Sequence, residues 1–119
     1  MKILLVEPGK RPAEKEISGS LDSMQELVGG LIQAIYPFDD SVALICNDEG
    51  KLMNLPLNRY LSECQDVICG SFAVVGAPAD SDSFASLTPE QLDRYQKRFQ
   101  APELFFLTDC GLAVIADHS

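Results

Sequence analysis

The breaks between apolar runs constrain this chain most. From Leu31 to Gly76, the strand-forming runs LIQAIY, VALIC, KLM and DVICGSFAVVG are separated by short turn-forming clusters such as PFDDS and NDEG. Asn47, Asp48 and Gly50 tolerate the positive φ angles that tight turns need. Parallel neighbours need a crossover of about a dozen residues or more, so runs spaced this closely must meander antiparallel. Gly70, inside the last run, is a candidate bulge.

The flanks supply helices and further strands. KILLVE, residues 2–7, is too short for a helix and ends at the turn pair Pro8-Gly9, so it reads as a buried strand, and residues 14–18 as a weak edge strand. Ser20 can cap a helix whose Leu21, Met24, Leu27 and Val28 share one face, with Gly29-Gly30 as its stop. Thr88-Pro89-Glu90-Gln91 has the form of a capping box with proline at the first helical position. Leu92, Tyr95 and Phe99 then make an apolar stripe, and Arg94, Lys97 and Arg98 lie toward the end where the helix dipole favours cations. APADSDSFAS before it reads as a mobile loop. After Pro102, LFFLT-DCG-LAVIA predicts a hairpin over 103–116, with a third helix as the alternative. The expected fold is α+β: one domain over 1–119, a largely antiparallel sheet of about seven short strands, and two helices at about 20–28 and 89–100.

A chain of 119 residues buries enough surface for a core without metals or disulfides. Eighteen acidic against nine basic residues leave a net charge of -9, which opposes direct binding to nucleic acid or to anionic membranes. Solubility in a cytoplasm accounts for such acidity, and mimicry of DNA phosphates is the rival explanation. MKILLVEPGK has too short an apolar run for a signal peptide or a membrane span. Cys46, Cys64, Cys69 and Cys110 are expected to be free thiols in a reducing, cytoplasmic setting, with Cys46 and Cys69 buried.

Motifs for chemistry are missing. Cys64 and Cys69 have no second close pair, and the sole histidine, His118, is a poor base or ligand so near the end. The carboxylate pairs Asp39-Asp40, Asp48-Glu49 and Asp80/Asp82 read as solvated turn or loop residues. Asp80-x-Asp82 lacks the later glycine and glutamate of a calcium loop, and GAPADSDS lacks the lysine of a phosphate loop. No catalytic residue, metal or cofactor is expected. Arg59, in a stretch poor in cations, reads first as a structural clasp on a carboxylate and second as a receiver of an anionic ligand. Asn58 reads as a turn residue. Pro56 cannot donate to a ladder, so the chain is expected to leave the sheet there, with Asn58 and Arg59 at a sheet end.

The stretches VEPGK, MQELVGG with IYPFDD, ICNDEGKLMNLPLNR, GSFAVVG and SLTPEQ together resemble a domain-of-unknown-function family of gut clostridial bacteria, their mobile elements and phages, over about residues 1–100. The resemblance implies a small accessory protein of mobile DNA and no established activity. Three functions follow as expectations. The first is a non-catalytic binding module for an unknown protein or small molecule, a monomer or small homo-oligomer. Its contacts would be Pro56, Asn58 and Arg59, with Asn47 and Glu49 from the same stretch. The second is an acidic DNA mimic acting against restriction or defence, and the third a binder of a small anionic ligand or nucleotide.

Overall fold

The computed structural model describes residues 1–117. Its main sheet has five strands in the order β2 (Ala13–Glu16), β1 (Lys2–Val6), β7 (Phe72–Gly76), β4 (Val42–Asn47) and β3 (Ile32–Ile35), every neighbouring pair antiparallel. The central strands β4 and β7 are buried along their whole length, because both faces of the sheet are covered. One face packs Ile3, Ala43, Ile45, Ala73 and Val75 against Met24 and Val28 of α1 (Leu21–Val28). The other packs Leu4, Val6, Leu44, Phe72 and Val74 against Leu92, Tyr95 and Phe99, carried by α2 (Pro89–Arg98) and its C-terminal cap. Val74 pairs with both Leu4 and Leu44, so one row of branched side chains crosses three strands on the α2 side.

Both helices begin where their caps put them. The Ser20 hydroxyl accepts from the Ser23 amide at 3.1 Å, and the amides of Gly29 and Gly30 close the far end on the Gln25 carbonyl. Leu21 turns outward, leaving Met24 and Val28, one turn apart, as the buried pair of α1. At α2 the capping box is complete: Gln91 N–H donates to Thr88 Oγ1 at 3.1 Å, and Thr88 N–H donates to Gln91 Oε1 at 3.0 Å.

The strand inventory departs from expectation. Among the described residues there are nine strands in three sheets instead of about seven in one. KLM is not a strand but part of a run of turns, whereas the segment after Pro56 is a strand, β5 (Leu57–Leu61), paired with β6 (Asp66–Cys69) in a separate ribbon. Asn58 and Arg59 therefore lie along a strand and not at a sheet end. Gly70 is no bulge either. With φ of +83° it turns the chain from β6 into β7, and its amide donates to the Pro56 carbonyl at 2.7 Å. The bulge sits in β5 itself, where the register shifts between Leu57 and Arg59. The far end of the loop 77–86 is pinned, as Gly76 and Ala85 exchange backbone hydrogen bonds at 2.8 and 2.9 Å. The last ribbon pairs β8 (Glu103–Thr108) with β9 (Gly111–Ala116). No helix among the described residues is long and apolar enough to cross a membrane.

Candidate functional site

The bulge in β5 decides what Asn58 and Arg59 do. In a regular strand consecutive side chains point to opposite faces, but a bulge re-aims one of them, and here both are fully buried. Asn58 Nδ2 donates to the Val6 and Gly70 carbonyls, each at 2.9 Å. The Arg59 guanidinium donates through one nitrogen to Asn58 Oδ1 at 2.8 Å and the Asn58 carbonyl at 3.2 Å, and through the other to the carbonyls of Lys10 at 2.6 Å and Phe99 at 3.0 Å. Two adjacent side chains thus fasten the end of β1, the turn after it, the β6–β7 junction and the C-terminal cap of α2.

Arg59 is a clasp on carbonyls, not on the carboxylate expected for it. Among the described residues it has no ion pair, and its Nε is buried without a partner. Burial pushes its pKa down, attraction to Glu103 opposes this, and repulsion from Arg98 adds to it. The Phe99 carbonyl stands at the negative end of α2, which suits a cation. With no exposed surface, neither Asn58 nor Arg59 can meet a ligand without the fold opening. Pro56 is exposed beside them, but its carbonyl closes the ribbon on Gly70.

Asn47 and Glu49 lie elsewhere, at a cleft of about 390 Å³ between the β3–β4 side of the main sheet and the β5–β6 ribbon. Asn47 is buried and holds the loop in place. Its Nδ2 donates to the Val28 carbonyl at the end of α1 (3.0 Å), and its Oδ1 accepts from the Glu49 amide (2.8 Å). Glu49 is exposed on the loop so positioned. Gly50 follows, and a Cβ there would stand 2.7 Å from the Cys69 carbonyl oxygen, so only glycine lets the loop lie this close to β6. Across the cleft Lys51 Nζ is paired with Asp66. The pairing holds the Asp66 carboxyl below its usual range and raises the lysine. Tyr36 and Leu52 line the mouth, 64% and 83% exposed.

Three thiols also border this cleft, Cys46, Cys64 and Cys69, and none is in a disulfide. Burial, then the charges of Asp48 and Asp66, push Cys46 up to about 11. Burial likewise raises Cys69, with Lys51 pulling the other way. Both are held as neutral thiols at pH 7, the wrong form for a nucleophile. Among the described residues no three His, Cys, Asp or Glu side chains are grouped to hold a metal ion, and His118 lies outside the described residues.

One carboxylate taken for a solvated turn residue is not one. Asp40 accepts from the Tyr95 hydroxyl (2.7 Å), the Ser41 amide (2.7 Å), Gln91 Nε2 (3.4 Å) and Arg94, tying the β3–β4 turn to α2. Burial alone would raise its pKa, but these donors outweigh that and leave it lowered. Burial, reinforced by the bond to Asp40, pushes Tyr95 up to about 12. No signal in PFDDS distinguishes Asp40 from Asp39, because its partners arrive from a helix some fifty residues later.

No curated protein and no solved structure matches the chain. The model of a domain of unknown function, DUF3846, matches residues 1–100, a span holding the main sheet, both helices, the Asn58–Arg59 clasp and the whole cleft border. By that match the chain belongs to the DUF3846 family.

Proposed function

We propose that the protein is a non-catalytic binding module, an accessory protein of a bacterial mobile element or phage, and that its ligand seat is the cleft beside Lys51 and Asp66. The observation that carries the reading is the pair of apolar side chains, Tyr36 and Leu52, left in water at the mouth of a cleft with a polar wall. A volume of about 390 Å³ suits a small organic molecule, and a few polar groups on an apolar frame are what orient one. The mobile-element setting rests on the family resemblance alone.

Charge narrows the ligand. Asp48, Glu49 and Asp66 border the cleft against one lysine, already paired, in a chain of net charge -9. That field repels a nucleotide and favours a neutral or cationic ligand with an apolar body, for which the Tyr36 ring offers a face. DNA mimicry fits less well, since five side-chain ion pairs among the described residues occupy Glu7, Asp40, Glu63, Asp66 and Asp93 with cations.

Isotope-labelled protein titrated with a panel of small aromatic and aliphatic amines, beside a panel of nucleotides, tests this reading by NMR. Amide shifts confined to residues 33–36, 47–52 and 64–69, weakened by Leu52→Ser and by Tyr36→Ser, are expected from the amines. Shifts from nucleotides at these positions, or no shift there from either panel, overturn it.

A further inference from the structure

The main sheet ends in two unlike edges. β2 closes one side, exposed along its length, with Glu14, Lys15 and Glu16 among its residues. Charges so placed keep an edge strand from pairing with foreign chains. β3 closes the other side and lacks that protection: no charged residue occurs between Glu26 and Asp39, and Pro37 comes only after the strand has ended. Among the described residues its one strand partner is β4, in regular register.

The phase of that ladder says which groups the edge offers. The Asp48 amide donates to the Leu31 carbonyl at 2.8 Å, so Leu31, and by alternation Gln33 and Ile35, turn their backbone groups toward β4. Ile32 and Ala34 turn theirs the other way, out of the sheet. Their side chains pack on the α1 face, whereas Gln33 and Ile35 border the cleft. Leu31 and Tyr36, at the two ends of the strand, are 58% and 64% exposed. The acidic border begins at this edge too, since Asp48 and Glu49 stand exposed just past the bond to Leu31.

We propose that an extended, basic segment of a partner protein adds to β3 as a sixth, antiparallel strand of the main sheet, with its cationic side chains over the cleft. This rests on the cleft reading above, the apolar stem and ammonium of a lysine being the ligand seated there. Directly opposed residues of antiparallel strands share a face. Residues bonded to Ile32 and Ala34 therefore lie on the α1 side, and those between them project toward Asp48, Glu49 and Asp66. The segment that fits alternates apolar and cationic residues. Main-chain bonds give such a contact its affinity and the alternate side chains its specificity. Charge selects this partner over a second copy, which would bring a net -9 and the same carboxylates to the edge.

The probe is an acetylated, amidated heptapeptide of alternating lysine and valine, read by solvent exchange of the isotope-labelled protein. At saturation the Ile32 and Ala34 amides should exchange about tenfold more slowly or better, while Gln33 and Ile35, already bonded to β4, change little. A glutamate–valine counterpart should bind roughly tenfold more weakly. N-methylation of the valine amides should abolish binding, and N-methylation of the lysine amides, which face away from β3, should spare it. Ala34→Pro removes an outward N–H and no ladder bond, so it should abolish binding as well. Should that variant unfold, the methylated peptides still decide. No binding, binding that leaves Ile32 and Ala34 unprotected, indifference to which amides are methylated, or equal affinity for the glutamate peptide would each overturn the proposal, as would dimerisation through β3 without peptide. Small amines that shift the cleft while the lysine peptide protects neither amide would sink the added strand and leave the amine seat standing. Protection of both amides with no amine shift at the cleft would support the strand and remove the seat.

Discussion

Arg59 donates a hydrogen bond to the carbonyl oxygen of Phe99 at 3.0 Å, joining a strand of the small β5–β6 ribbon to the last turn of α2 across forty residues of sequence. The same guanidinium nitrogen reaches Lys10, so one side chain spans three parts of the chain that share no backbone pairing.

Arg59→Ala should therefore lower stability by about 3 kcal/mol, because it leaves buried carbonyls unpaired and a cavity where the largest fully buried side chain stood. Arg59→Lys should recover little of this, since a lysine ammonium cannot match the forked geometry. Urea denaturation measures both, and an Arg59→Ala midpoint indistinguishable from wild type would disprove the clasp.

Thr88→Ala should cost about 1 kcal/mol, the usual worth of an N-cap, and Gln91→Ala a similar amount, because it removes the reciprocal half of the box together with the long contact to Asp40. Combining them should give less than the sum of the two losses, since they act through one motif. Strict additivity in thermal or chemical unfolding would count against the box as a unit.

Acid should weaken the Asp40 junction. The folded-state pKa of Asp40 lies below its unfolded value, so its contribution is present in full above that unfolded value, near 4, and is lost as pH falls through the folded one. Asp40→Asn should be less stable than wild type at pH 7, and the difference should shrink in strong acid. A gap that does not narrow on acidification contradicts the assignment.

Alkali reads the other partner. Tyr95 is raised to about 12, so its phenol stays neutral well past the ordinary range, and the stability this adds is present below about 10 and lost as pH climbs toward 12. Ultraviolet titration should show a late tyrosinate component that Tyr95→Phe removes. Its persistence in that variant would reassign it to another tyrosine.

Thiol labelling should divide the cysteines in two. Cys64 and Cys110 are exposed and should react fast with a disulfide reagent, whereas Cys46 and Cys69, buried and held neutral, should react only as the fold opens. Gly50→Ala forces the loop away from β6 and should bring Cys69 into the fast class. Four fast thiols in the wild type would mean the cleft wall is looser than described.

The legible parts of this fold were those with local causes. Thr88 and Gln91 are three residues apart and cap one another, and the apolar runs of β4 and β7 announce strands covered on both sides. β5 was missed because its cue, alternation, is cancelled by the bulge that turns both Asn58 and Arg59 inward, and because Pro56 stands just before it. KLM was misread because Gly50 and Asn54, the latter with φ of +53°, keep that segment turning around a pair of apolar residues that stay in water. The cleft is assembled from β3, β4, β6 and two loops, so only Asn47 and Glu49, within the NDEG turn, could be singled out, and not the wall they face.

The Arg59 clasp also links the two ends of the family-matched span. Its acceptors come from residues 10, 58 and 99, and the family-matched span ends one residue past the last of them. A chain cut before Phe99 keeps the acceptors on Lys10 and Asn58 but has no helix end to receive the guanidinium. The clasp is complete only with α2 in place, so a truncation before Phe99 should leave the buried Arg59 without its acceptor at the helix end.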